Sequence, residues 1–262
     1  MDNIIITTTG GGIFSLFHQA IATILKQYEN NINNISSFKI VIDSNHFLKN
    51  KNIFDDFFEY QNDLVINKNK VKLNRDIDGF IHFIKVDCAY FDKLKLIVSK
   101  NIINHKIINI VNNFVKMFNV DENTLTVHIR LTDMNTKHSN EYGVYTFNDY
   151  KNEIDKVLEN NSNINNIYIA SDNNESIYKL ISLYNEKIKI INFEHPYRVE
   201  KENSDNFNYI VKHLNDMPEL PVKVFTEMLI GSKGGHFIGR ISDVSNFIIL
   251  YSDSIKTIKY LN

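Results

Sequence analysis

The chain has 262 residues, enough to bury one large core or two of roughly 130 residues each. Its 43% hydrophobic and 23% charged residues are ordinary for a soluble globular protein, and 29 basic against 31 acidic residues leave no electrostatic footprint for nucleic acid. A single cysteine, Cys88, excludes an internal disulfide framework and a cysteine-built metal cage. Cys88 lies in the apolar run 83–91 and reads as a small buried side chain. The start, Met1-Asp2-Asn3-Ile4-Ile5-Ile6, has neither a basic n-region nor a long apolar h-region. No apolar run reaches the roughly 18 residues of a membrane span, so the expectation is a cytoplasmic chain with no span.

In chain order, a strand is expected at 3–8, then a turn at Thr9-Gly10-Gly11-Gly12. A helix over 13–28 follows from Phe14, Phe17, Ala20, Ile21, Ile24 and Leu25 recurring at helical spacing. Residues 38–42 form a second strand ending at Asp43, and 64–66 and 79–84 read as further strands. A helix over 101–118 carries Ile103, Ile107, Ile110, Val111, Phe114 and Met117. The turn Val120-Asp121-Glu122-Asn123 then marks a domain boundary, giving domains 1–120 and 121–262.

The second half alternates strand and helix more plainly. Residues 125–129 form a strand, and Asn148 is placed to cap a helix running to Glu159. A strand at 166–170 ends in Ser171-Asp172, and a helix at 175–184 leads to a strand at 188–191. The polar stretch 192–219 holds His195-Pro196-Tyr197-Arg198 and a short helix near 207–214. A helix at 221–230 starts on Pro221, suited to a first turn. The strand 236–239 and a helix at 244–250, capped by Ser242, complete the series. Successive βα units imply an α/β chain with parallel sheets covered by helices on both faces.

Chemistry concentrates where strands end. His128-Ile129-Arg130-Leu131-Thr132-Asp133 sets a fixed cation at the carboxyl end of a strand, where α/β sheets bind ligands. The planar fork of Arg130 matches a phosphate or carboxylate, or it ties down the loop through Asp133. Gly10, Gly11 and Gly12 lie between a strand and a helix, the order an anion-binding loop requires. Their spacing, Gly10-x-Gly12-x-x-Ser15, has serine in the third place of a dinucleotide fingerprint. Asp43 lies about 33 residues on rather than the usual ~20. An NAD- or FAD-dependent oxidoreductase therefore stands as an alternative reading, beside a plain tight turn.

Asp172 can accept from a sugar hydroxyl or cap the next helix through the Asn174 and Glu175 amides. The glycine-dense run 231–243 reads either as a helix stop and loop or as a second phosphate cradle facing Arg130. The histidines show no His-x-x-x-His pair on a helix, Asp76-x-Asp78 is a weak match to a divalent-metal motif of nucleotide-sugar enzymes and reads better as a solvated turn, and no Gly-x-Ser-x-Gly elbow occurs. No metal is expected.

These segments, taken in order, resemble the GDP-fucose-dependent fucosyltransferase superfamily, which includes α-1,2, α-1,6 (nodulation-type) and protein O-fucosyltransferases. The shared pattern is a strand ending in His-x-Arg, a later strand ending in Thr/Ser-Asp, and a Phe-Ile-Gly-x-x-x-Ser segment before a helix. Here these are His128-Ile129-Arg130, residues 167–172, and His236-Phe237-Ile238-Gly239-Arg240-Ile241-Ser242. The opening Gly-Gly loop running into a helix with His18 and Gln19 also matches.

The resemblance spans nearly the whole chain and implies a GT-B-like fold, two Rossmann-like domains with parallel sheets facing a cleft. Residues 1–120 would be the acceptor side and 121–262 the nucleotide-sugar side. It implies metal-independent, inverting transfer of fucose from GDP-fucose to a glycan or peptide hydroxyl. Arg130 would hold the donor diphosphate, His128 and Glu227 the nucleoside, and Asp172, Ser242 and Asp243 would lie around the donor. His18 is the candidate base, and Tyr142 and Tyr145 stand in for the absent tryptophan in sugar stacking. The chain departs from the pattern at Leu131, where many members carry a second arginine, and at Glu227, where aspartate is usual. That departure leaves a non-catalytic nucleotide-sugar-binding module as a further alternative.

Overall fold

All six residues of Thr124–Ile129 are buried, as are all six of Asn166–Ser171 and all four of His236–Gly239. Strands covered on both faces by helices read this way, because neither side of the pleat meets water. In this computed structural model the described residues are 2–6, 14, 17, 21, 38–42, 54–59, 88–99, 102–132, 135, 143–194, 198–200 and 218–261. The chain divides into two compact units, Met1–Asn109 and Ile110–Asn262.

In the first unit, β1 (Asp2–Ile6) pairs in parallel with β2 (Phe38–Ile42), in register Asp2↔Phe38 through Ile6↔Ile42. Of the helix expected between them, Phe14, Phe17 and Ile21 are helical and buried, the i, i+3, i+7 positions of one face. Phe14 stacks on Phe57 and Phe17 tilts against Phe58, residues of α1 (Phe54–Phe57) and β3 (Phe58–Glu59). Helix α2 (Cys88–Val98) is a difference from the sequence reading, which left the run at Cys88 without a helix. Among its residues 92–98, Leu94, Ile97 and Val98 are buried and lie on one face. Strand β4 (Ile102–Ile103) pairs antiparallel with β3. The helix expected from 101 therefore starts later, as α3 (His105–Phe118), its first N–H donating to Glu59 Oε1 at 2.9 Å. Gly10, Gly11, Gly12 and His18, with the strands expected at 64–66 and 79–84, lie outside the described residues, as do Asp76 and Asp78.

The second unit is built on one fully parallel sheet. Its strands are β5 (Thr124–Ile129), β6 (Asn166–Ser171), β7 (Lys189–Asn192), β8 (His236–Gly239) and β9 (Thr257–Tyr260). Their spatial order is β7-β6-β5-β8-β9. The chain thus winds outward from β5 in one direction and then returns to wind outward in the other, a doubly wound half with its switch point between β5 and β8. Strand β9 was not expected: its burial is nearly nil at an edge, so it lacks the apolar run that marks the inner strands.

Helices α4 (Phe147–Asn160) and α5 (Asn174–Tyr184) cover one face. There Tyr150, Ile154, Ile177 and Leu180 meet Leu125, Val127, Ile129, Ile167, Ile169 and Ile238 in one core. Each such fully buried aliphatic side chain contributes roughly 1.5–3 kcal/mol. Leu131 belongs to that core at 1% exposure. On the other face lie α6 (Leu220–Gly231), tied to the strands by Thr126 Oγ1 donating to Gly231 O and Tyr168 Oη donating to Glu227 O, and α7 (Asp243–Leu250), tied by the His128–Ser245 hydrogen bond. Helix α4 begins at Thr146 rather than at the expected Asn148. The Asp149 carboxylate accepts the Thr146 N–H at 2.7 Å and its hydroxyl at 2.8 Å.

Candidate functional site

Parallel registers decide which chain segments share an edge. Ile129 is level with Ser171, and His128 is level with Gly239. The residues that follow, Arg130, Asp172 and Arg240, therefore emerge at the carboxyl edge of three adjacent strands, at the switch point. Alternation along β5 turns Val127, Ile129 and Leu131 toward α4 and α5, and Thr126 and His128 toward α6 and α7. Arg130, half-buried, continues the second series.

His128 is 4% exposed, and its Nδ1 is 2.7 Å from Ser245 Oγ. Burial, with the Arg130 charge beside it, pulls its pKa down to about 3, so the imidazole is neutral at ordinary pH. The Ser245 hydroxyl is 3.2 Å from Ser242 Oγ, which caps α7 by accepting the Ser245 N–H. A hydrogen-bonded line thus runs from the end of β5 to the N-terminus of α7, whose unsatisfied amides carry partial positive charge. Asp243 is the first residue of α7. Its carboxylate suits the helix dipole but repels an incoming anion, so its backbone amide is the part suited to a phosphate.

Asp172 does not cap α5. The cap is Asn173, whose side chain accepts the Ser176 N–H at 2.9 Å. The Asp172 carboxylate instead accepts from the Thr132 hydroxyl and, at 3.1 Å, from the Asn173 amide. This ties the segment leaving Arg130 to the end of β6. Tyr150 rises from α4 beneath it, and its hydroxyl accepts the Arg130 N–H at 3.3 Å. Burial first of all raises the Tyr150 pKa, which keeps the phenol neutral.

Glu227 lies inside α6 at 4% exposure and forms an ion pair with the buried Arg198. Arg198 also donates from Nε to Ser171 O at 2.9 Å and from Nη2 to Phe193 O at 2.7 Å. The pair joins the ends of β6 and β7 to α6. Nothing in the sequence signalled it, because Arg198 sits in a polar stretch 29 residues from its partner.

The glycine-dense run divides in two. Gly234 and Gly235 lie at the amino end of β8, and a Cβ on Gly235 would fall 1.9 Å from Glu122 O. They are therefore not a cradle facing Arg130. They serve a close backbone approach at the opposite end of the sheet, where Gly235 N–H donates to Thr124 O. Only the later half, from Gly239 to Ser245, stands at the carboxyl edge. Tyr145, expected to stack on a sugar, lies under the Arg240 guanidinium at 5.0 Å; Asp133 and Tyr142 lie outside the described residues. Among the described residues, no group of three or more His, Cys, Asp or Glu side chains is placed to hold a metal ion, and no helix is long and apolar enough to cross a membrane.

No protein-family model and no curated protein matches the sequence. Solved structures do match in shape. The NodZ α-1,6-fucosyltransferase co-crystallized with GDP superposes with a TM-score of 0.59 at 10% identity, over 100% of this chain and 96% of its own. Fucosyltransferase NodZ from Bradyrhizobium gives 0.54 at 9% identity, over 96% and 94%. POFUT1 in complex with GDP-fucose gives 0.52 at 10% identity, over 99% and 97%. At this identity the likeness is one of fold: the chain has the mixed α/β, GT-B-like fold of these GDP-fucose-binding fucosyltransferases.

Proposed function

We propose that the protein is a glycosyltransferase that moves fucose from GDP-fucose to a hydroxyl of a glycan or peptide acceptor, with inversion and without a metal. The observation that carries this reading is the convergence of Arg130, the neutral His128, Asp172 and the α7 N-terminus on one strand edge at the switch point of a doubly wound sheet. The site meets a diphosphate with a guanidinium fork and helix amides. Solved structures with this fold were obtained in complex with GDP-fucose and co-crystallized with GDP, which supports the choice of nucleotide.

In the proposed reaction an acceptor oxygen forms a bond to the anomeric carbon as the bond from that carbon to the phosphate oxygen breaks. The bonding pair leaves with GDP, and a base takes the acceptor proton. His18 is the proposed base and lies outside the described residues. Arg130 and the amides of Asp243 and its neighbours stabilise the charge that grows on the leaving diphosphate. Gly10, Gly11 and Gly12 are assigned to binding the donor nucleotide, residues 1–120 otherwise to the acceptor side, and 121–262 to the donor. Glu227 is assigned to the nucleoside pocket through the position at which it holds Arg198.

The test is a panel of nucleotide sugars incubated with glycan and peptide acceptors while free nucleotide is measured. GDP release from GDP-fucose, dependent on Arg130, is the expected result. Absence of GDP binding together with absence of nucleotide release from any donor would sink the reading.

A further inference from the structure

Arg240 is the largest fully buried side chain in the described molecule, and it sits at the edge just described. Ile238 faces the α4 core, so Arg240, two residues on, points to the same face as Leu131 on the neighbouring strand. Its guanidinium is fixed from three sides. Nη1 donates to Asn135 Oδ1 at 2.7 Å, Nη2 donates to Gly143 O at 2.6 Å, and the plane lies over the Tyr145 ring. Asn135 in turn bridges Tyr145, donating to its carbonyl at 2.6 Å and accepting its N–H at 3.3 Å. Asn135, Gly143 and Tyr145 are thereby fastened to the end of β8. Gly143 takes φ +77, a conformation that favours glycine.

A nucleoside diphosphate carries more negative charge than one guanidinium offsets, and a charge held in a low-dielectric setting acts over a longer range than one in water. We propose that Arg240 is the second fixed cation of this anion site, a positioning residue that raises the potential at the Arg130 edge without touching the ligand. The fork geometry fixes where that charge stands, and the buried setting limits its screening by salt. Both arginines already act on one phenol: each opposes the burial that raises the Tyr150 pKa. The inference rests on the reading of the edge as a diphosphate site.

The experiment measures binding of GDP and of inorganic pyrophosphate by calorimetry, at several salt concentrations, to the full chain and to Arg240→Lys, Arg240→Gln and Arg240→Leu, with thermal unfolding as the check on folding. The leucine variant is included because a buried charge replaced by a packed apolar group often leaves folding intact. The expected result is that the folded neutral variants bind GDP on the order of tenfold or more weakly, a loss that persists at every salt concentration, while lysine stays within roughly threefold of wild type. A folded neutral variant that binds as wild type overturns the proposal, as does a lysine variant that loses as much as glutamine. So does failure of both neutral variants to fold while lysine folds, which makes Arg240 a folding residue. Wild type that binds pyrophosphate in an Arg240-dependent way but not GDP removes the GDP reading and keeps this one. Binding of neither removes both.

Discussion

At the residue scale, Arg130 and His128 occupy alternate positions on one strand and differ in what burial does to them. Arg130 is half-buried and always charged, so removing it takes charge from the site while the core stays filled. Arg130→Ala is expected to lower kcat/KM for GDP-fucose by roughly 10²–10³, about 2.7–4 kcal/mol of transition-state stabilisation. Steady-state rates read the loss, and a thermal melt shows the fold retained. His128 is held neutral. Its folded pKa of about 3 lies below the ordinary value of 6.5, so the unfolded chain binds the proton first as pH falls. Its contribution to stability is complete above about pH 6.5 and declines toward pH 3, by up to ~1.4 kcal/mol per unit. Melting temperatures measured from pH 7 to 4 should therefore fall more steeply for wild type than for His128→Gln. GDP affinity should carry no His128 titration between pH 6 and 8.

At the element scale, the two ends of the central sheet do different work. The carboxyl ends carry the site, and the amino ends carry the close packing that fixes the strands. Gly235 shows the second: a methyl group there meets the Glu122 backbone at 1.9 Å, and backbone cannot give way as a flexible side chain does. Gly235→Ala should destabilise the chain by roughly 1–3 kcal/mol, read as a lower denaturation midpoint with an unchanged slope. Ser242 shows the first, since it caps α7 and touches the Ser245 hydroxyl that holds His128. Ser242→Ala should cost about 1 kcal/mol in stability and weaken GDP binding as well, because the first turn of α7 loses its anchor. Chemical denaturation and calorimetry on the same sample separate the two effects.

At the scale of the whole molecule, a ligand that binds only the folded chain stabilises it by mass action. GDP at a hundredfold excess over its dissociation constant should add about 2.7 kcal/mol, seen as a concentration-dependent rise in melting temperature that Arg130→Ala reduces. Much of the order of elements is legible in the sequence. Strands at 38–42, 125–129, 166–170, 188–191 and 236–239 all match observed strands, because parallel strands are short apolar runs bounded by polar turns, and those at 125–129, 166–170 and 236–239 are buried throughout. Edge strand β9 lacks such a run, and the apolar run at 83–91 overlaps the start of α2 without marking its helical spacing. The residues of the carboxyl edge were legible as types and positions, His128, Arg130, Asp172 and Ser242, since strand ends can be located from periodicity alone. Their partners were not. Asp172 holds Thr132 rather than a helix, Glu227 holds Arg198, and Tyr145 lies beneath Arg240. The sequence by itself determined the α/β alternation and which residues stand at strand ends, because both follow from local hydrophobic patterning. Only the tertiary structure decided the strand order, the switch point between β5 and β8, the ion pair between residues 29 apart and the hydrogen bond between Arg240 and Asn135, 105 apart. Those depend on which strands lie side by side, and no local pattern encodes that.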